Sequence, residues 1–178
     1  GDGLKDVMRP YQRLGVAWMY HLFRHGLGGL LADEMGLGKT LQAIGLIDSV
    51  RCSGSSPGLV ISPAGLVGNW ARELRKFAPG LRIVVHHGGA RSQSVEGFQG
   101  ADVVLTSYST LARDIDWISD GDFGLVIADE AQHIKNRRTL HANALRRLKS
   151  TGRFLLTGTP IENSIEDAVA LFDFLMPG

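Results

Sequence analysis

"LADEMGLGKT", residues 31–40, is the stretch on which the fold turns. It ends in the G-K-T of a phosphate-binding loop. The general pattern G-x-x-x-x-G-K-[ST] opens on glycine, however, and this chain has Asp33 there. The flanks decide how to read it. Upstream, "LGGLLA" (27–32) is a short apolar run, and downstream "KTLQAIGLIDSV" (39–50) reads as a helix, which makes strand, loop, helix. In that setting Gly36 and Gly38 let the backbone aim several N–H groups at one point. Lys39 adds a charge for terminal phosphates, Thr40 a hydroxyl for magnesium, and the helix its positive N-terminal end. A plain glycine turn before a helix accounts for the bend but not for the lysine and threonine that follow it.

A partner for that loop lies downstream. "VIADE" (126–130) is an apolar strand ending in Asp129 and Glu130, which places two carboxylates where a parallel sheet carries its ligands. Asp129 suits a magnesium ion held through water, and Glu130 suits polarising an attacking water. Alone, such a pair is more simply a solvated loop or a helix cap. With a phosphate loop upstream, the chemical reading is the stronger.

The rest of the chain keeps the same alternation. Strands are expected at 59–62, 81–87, 101–107, 123–129 and 153–159. Helices are expected at 64–78, 108–118, 140–150 and from Ser164 onward, with room for a short helix in the polar stretch 88–100. The opening helix "RPYQRLGVAWMYHLFRHG" starts near Pro10 and ends at Gly26, and Tyr11, Leu14, Trp18 and Leu22 form its expected core face. In the last helix, Ser164 with Asp167 makes a cap, and Ile165, Val169, Phe172 and Leu175 its apolar face. The strands are continuous apolar runs rather than alternating ones. The fold class is therefore α/β, a parallel sheet with helices on both faces in three layers.

Composition agrees and narrows little. The 178 residues are 44% hydrophobic and 21% charged, with net charge +1, so no global basic field advertises nucleic acid. The one cysteine, Cys52, excludes an internal disulfide and suits a reducing compartment. No apolar run reaches the roughly 20 residues that span a bilayer, so no membrane partner is expected. The first residues look like neither signal nor transit peptide, and both ends read as boundaries within a longer protein.

With these residues in view, the sequence resembles the first RecA-like lobe of a superfamily-two helicase-type ATPase, of the SWI/SNF chromatin-remodelling and DNA-translocase group. "RPYQRLGVAWM" resembles its Q-motif, "LADEMGLGKT" motif I, "VISPAGLVGNWARELRKF" motif Ia, "VVLTSYSTLARD" motif Ib, "VIADEAQHIKN" motif II and "FLLTGTPIENSIEDAVALFDFL" motif III. In this group an aspartate takes the place of the first loop glycine, so Asp33 narrows the family; we expect it to pin the loop through backbone N–H groups. The resemblance covers residues 1–178 as a single RecA-like P-loop lobe.

The resemblance implies ATP and Mg2+ as cofactors. ATP would be cradled by Asp33, Glu34, Met35, Gly36, Leu37, Gly38, Lys39 and Thr40, with Gln12 reading adenine. Thr40 and Asp129 would hold the metal, and Glu130 with Lys39 would do the chemistry. Ser62, Pro63, Thr106 and Ser107 would lie near the DNA backbone, while Gln132, Thr157, Gly158 and Thr159 would couple nucleotide to DNA. From the residues alone, serines and threonines at strand ends are turn formers or caps as readily as phosphate contacts.

It also implies double-stranded DNA and a second RecA-like lobe as partners, and a cytoplasmic (bacterial nucleoid) or nuclear location. The second lobe's motifs, including an arginine finger, have no match here. Such a residue is worth on the order of 10³–10⁵ in rate elsewhere. The lobe alone is therefore expected to be a monomer that binds nucleotide weakly and hydrolyses little. An RNA or strand-separating helicase lobe and a non-catalytic scaffold are the alternatives. Trp70 and Phe77 read as core, His86 and His87 lack zinc-ligand spacing, and His133 ranks low as a bridge to the second lobe. Arg137, Arg138, Arg146, Arg147 and Lys149 read as a solvated face or lobe contact.

Overall fold

The computed structural model describes residues 2–32, 38–51, 54, 56–131, 134, 139–158 and 173–175. In chain order these form α1 (Asp2–Val7), α2 (Pro10–Arg24), β1 (Gly29–Ala32), α3 (Lys39–Arg51), β2 (Gly58–Ser62) and α4 (Val67–Phe77). Next come β3 (Ile83–His86), β4 (Val103–Ser107), α5 (Tyr108–Ile118), β5 (Asp122–Ala128), α6 (Leu140–Arg147) and β6 (Lys149–Thr157). Single 3-10 turns stand at Ala64–Leu66 and Val95–Phe98.

All strands pair in parallel, in the order β1-β6-β5-β2-β4-β3. The alternation of side chains along each strand sorts the core into two layers. Val60, Leu105, Ile127 and Leu156 face one side with α2, α3 and α4; Leu59, Ile61, Val104, Val126 and Leu155 face the other with α5 and α6. Strands β2 and β4 are buried along their whole length, which is why they read as unbroken apolar runs. This is the expected three-layer α/β fold.

The structure corrects the reading of α2. Tyr11, Leu14 and Trp18 are 52%, 72% and 61% exposed, while Gln12, Val16 and Met19 are buried. Close helix packing decides this. A Cβ added at Gly15 would sit 2.0 Å from Gln42 Oε1, and one at Gly45 2.8 Å from Val16 Cγ2, so α2 and α3 meet across small residues. The aromatic stripe cannot occupy that narrow seam. The end of α2 is as expected: Gly26 has φ +69, and Leu27 N–H and Gly26 N–H reach back to Leu22 and Phe23 carbonyls, a Schellman stop.

Two boundaries also move. Helix α1 was not anticipated, although Leu4 and Met8 are spaced to bury together, and both enter the core. Strand β6 begins at Lys149, so α6 is shorter than expected. Asp122 and Phe123 of β5 offer pairing partners to Lys149 and Ser150. Buried Arg153 donates from its guanidinium to the Leu145 and Leu148 carbonyls, closing the end of α6. Burial holds that guanidinium's pKa below its ordinary value. The motif III helix from Ser164 lies outside the described residues apart from 173–175, where Phe174 is buried in the core.

Candidate phosphate-binding site

A parallel sheet brings all its strand C-termini to one edge, and the loops leaving those ends build the site. Here the edge holds the start of α3 after β1, the turn after β5 and the end of β6. Gly38, Lys39, Thr40, Asp129, Glu130 and Gly158 line one cleft of about 740 Å³, together with Arg9, Tyr11, Gln12 and Trp70. Sequence positions far apart thus converge on one side of the sheet.

Glycine is called for at Gly38 by its backbone, and at Gly158 a side chain would crowd the lysine head. Gly38 has φ +91, and a Cβ there would lie 2.0 Å from Gln12 Nε2; at Gly158 one would come within 3.2 Å of Lys39 Nζ. Bare backbone leaves space for the lysine head and the glutamine amide. Lys39 is the first residue of α3 and is buried, so its ammonium and the helix's positive end both serve the cleft. Gln12 accepts the Arg9 backbone N–H at 2.8 Å through Oε1, tying the start of α2 to the loop's glycine.

Asp129 is hydrogen-bonded at all four of its polar atoms. Its backbone N–H donates to the Ile61 carbonyl at 2.8 Å, and its carbonyl accepts the Tyr108 hydroxyl. One carboxylate oxygen takes the Glu130 N–H at 2.8 Å and the other the Trp70 indole N–H at 2.9 Å. Burial raises the Asp129 pKa above the usual carboxylate range; the Trp70 and Glu130 bonds oppose the rise, the Glu130 charge adds to it, and the Lys39 charge lowers it. The same burial, reinforced by the charges of Asp129 and Glu130, pushes the Tyr108 phenol well above its ordinary value. Glu130 has φ +49, a left-handed conformation that costs a non-glycine residue energy and that tends to persist where function needs it.

The donor set fits magnesium. The Asp129 carboxylate and the Thr40 hydroxyl are hard oxygen donors lining the cleft that holds Lys39, and magnesium is commonly held by one or two such groups plus phosphate and water. Among the described residues no group of three or more His, Cys, Asp or Glu gathers into a cage.

The residues expected near nucleic acid occupy the same sheet edge, at the ends of β2 and β4. Ser62 Oγ donates to the Pro63 carbonyl at 3.1 Å. Ser107 Oγ caps α5 by accepting the Thr110 N–H at 3.1 Å. Thr106 Oγ1 is buried with no hydrogen-bond partner among the described residues. Thr157 is buried at the end of β6. Asp33, Glu34, Met35, Gly36, Leu37, Gln132 and Thr159 lie outside the described residues, as do His133, Arg137 and Arg138.

Sequence reading missed the polar role of Trp70 and the whole role of Tyr108. Trp70 is core, 2% exposed, but a buried indole N–H needs an acceptor, and that requirement was the available signal. Away from the cleft, His86 shares Asp114 (2.7 Å) with Arg91 (2.6 Å) and sits edge-on between the Phe98 and Trp117 rings. Burial lowers the His86 pKa against the pull of Asp114, and the Arg91 bond lowers that of Asp114. This cluster staples α5 to the end of β3. Arg147 pairs with Asp116 at 2.8 Å on an exposed surface, linking α6 to α5.

Comparison with known proteins places the chain. The SNF2-related domain family matches residues 11–178. A putative ATP-dependent helicase/translocase, YwqA of Bacillus subtilis, is 41% identical over 98% of this chain and 19% of its own length. The TATA-binding protein-associated factor MOT1 of Saccharomyces cerevisiae is 36% identical over 98% of this chain and 10% of its own. Among solved structures, the Sulfolobus solfataricus SWI2/SNF2 ATPase core in complex with dsDNA superposes with a TM-score of 0.87 at 43% identity, covering 96% of this chain and 36% of that one. The chain thus spans about a fifth or less of the curated relatives and about a third of the solved core. Family match, identity and fold agree: the chain belongs to the SNF2-related domain family, as the N-terminal RecA-like lobe of a SWI2/SNF2 ATPase core.

Proposed function

We propose that this chain is the ATP-binding motor lobe of a DNA-dependent ATPase that moves along duplex DNA or remodels protein–DNA complexes. The observation that carries this reading is the meeting of Lys39, Asp129 and Glu130 in one cleft, over a helix N-terminus. Lys39 neutralises the terminal phosphates. Thr40 and Asp129 would hold magnesium, which when bound would supply charge stabilisation to the transferring phosphoryl group. Glu130, held in its left-handed turn, orients the attacking water. Gln12 offers Nε2 to adenine while Oε1 stays on the Arg9 amide. The loop residues 33–37 complete the phosphate cradle.

Duplex DNA is the favoured track because a solved relative that superposes with a TM-score of 0.87 is a core in complex with dsDNA. Ser62, Pro63, Thr106 and Ser107 lie at the strand ends that would face its backbone, and Gln132, Thr157, Gly158 and Thr159 would relay the nucleotide state. Residues 1–178 act as one lobe, with a second RecA-like lobe of the parent protein closing the cleft and supplying an arginine finger. The lobe alone is a monomer that binds nucleotide weakly. The place of work is the bacterial nucleoid or a nucleus, given relatives from bacteria and from eukaryotes. No described helix is long and apolar enough to cross a membrane.

Phosphate release from ATP, measured with no nucleic acid, duplex DNA or RNA, tests the proposal. The parent protein should be stimulated by duplex DNA and reduced to background by Lys39→Ala, while the 178-residue lobe turns over little. Stimulation by RNA alone would favour the RNA-helicase alternative. Indifference to Lys39→Ala would favour a scaffold, and strong DNA-stimulated hydrolysis by the lone lobe would overturn the two-lobe requirement.

A further inference from the structure

The carboxylate assigned to magnesium is held by residues from two other segments of the chain. Trp70 comes from the middle of α4, the helix that follows β2, and Tyr108 from the first turn of α5, which follows β4. They bond different ends of the same residue. The indole N–H is on Asp129 Oδ2 at 2.9 Å, and the phenol hydroxyl is on the Asp129 carbonyl. With the Ile61 carbonyl on its N–H and the Glu130 N–H on Oδ1, Asp129 is fixed at four of its polar atoms. Both aromatic rings are buried and packed in opposite layers of the core, so the turn is gripped from both faces of the sheet.

An indole nitrogen can only donate. It therefore always presents its proton to the carboxylate, and it fixes which way the remaining lone pairs point. A metal-binding carboxylate gains orientation from such an outer partner, and losing one elsewhere costs about 10–100-fold in metal affinity. The tyrosine acts differently. By holding the carbonyl that precedes Glu130, it supports the peptide whose next residue sits at φ +49.

Resting on the proposed ATPase reading, we infer that Trp70 and Tyr108 are positioning residues of the hydrolysis site: Trp70 orients the magnesium-binding carboxylate and Tyr108 holds the Asp129–Glu130 turn. Neither lies on the reacting atoms. Because Trp70 stands on the helix after Ser62 and Tyr108 directly follows Ser107, a shift of either strand end moves the metal ligand with it.

Magnesium titration of fluorescent ADP binding to the protein tests this without turnover. Trp70→Phe keeps a six-membered aromatic ring in the layer but removes the N–H and the fused five-membered ring; it should raise the magnesium midpoint by about tenfold while leaving nucleotide binding in EDTA close to wild type, with a thermal midpoint lowered by the void and the lost donor. Tyr108→Phe should leave the magnesium midpoint within about threefold and lower kcat in the parent protein more than it raises KM for ATP, because it acts on Glu130. An unchanged magnesium midpoint in Trp70→Phe overturns the role of Trp70, and a Tyr108→Phe protein with wild-type kcat overturns that of Tyr108. Equal losses with and without magnesium would show a merely structural bond and also overturn it. Wild-type protein that binds no nucleotide at any magnesium level would instead overturn the ATPase reading, and this inference with it.

Discussion

Two tryptophans on two amphipathic helices came to opposite ends. On α4, Trp70 is 2% exposed, with its indole nitrogen on a buried carboxylate. On α2, Trp18 is 61% exposed and stacks on His21 with ring centroids 5.9 Å apart. Helical spacing put each on an apolar stripe. What separates them is the partner surface. Helix α4 lies over a broad apolar layer with a polar acceptor at its rim, whereas α2 meets α3 through Gly15 and Gly45, where only small or slender side chains fit. The apolar face of a helix is therefore a choice made by its neighbour, and the largest side chains are excluded when the neighbour comes close.

The sharpest way to break this contrast is to truncate both rings. Trp70→Ala removes a fully buried aromatic and leaves Asp129 Oδ2 without its donor, so a loss of about 3–5 kcal/mol is expected from denaturant unfolding. Trp18→Ala should stay within about 0.5 kcal/mol, as for other surface substitutions. Equal losses at the two positions would mean that α2 buries its aromatic face in solution and that the exposed stripe is wrong.

How much was legible follows the same line. The strands could be read because they are buried on both faces, which leaves apolar runs at 59–61, 103–105 and 123–128. The phosphate loop and the Asp129–Glu130 pair could be read because each is local, a few residues that act together wherever the fold puts them. Trp70 and Tyr108 could not, since their partner lies 59 and 21 residues along the chain and nothing nearby marks it. The face of α2 failed for a related reason: its burial depends on Gln42 and Gly45 of another helix. The start of β6 failed because pairing with Asp122 and Phe123 of β5 recruited Lys149 and Ser150, residues with no strand signal of their own.

A smaller perturbation tests the seam itself. Gly45→Ala places a methyl group 2.8 Å from Val16 Cγ2, a short branched side chain with little room to yield. Overpacking costs about 1–3 kcal/mol, and the helix gains roughly 1 kcal/mol on replacing glycine, so a net loss of about 1 kcal/mol is expected. Adding Val16→Ala should recover part of it, giving a favourable coupling in a double-mutant cycle. Strict additivity would show that α2 and α3 do not meet at these residues.

The smallest effect probes the exposed stripe. Leu14 is 72% exposed on α2, between Tyr11 and Trp18, so Leu14→Lys removes little buried area and creates no cavity. Lysine is nearly as good a helix former as leucine, which leaves an expected change within about 0.5 kcal/mol and an unaltered circular dichroism spectrum. Val16→Lys, two residues along the same helix, would bury an ammonium against Gly45 and Met8 and should unfold the packing of α2. If the two lysine variants behaved alike, the choice of face would lie in the helix after all; if they diverge, it lies in the glycines that let α3 approach.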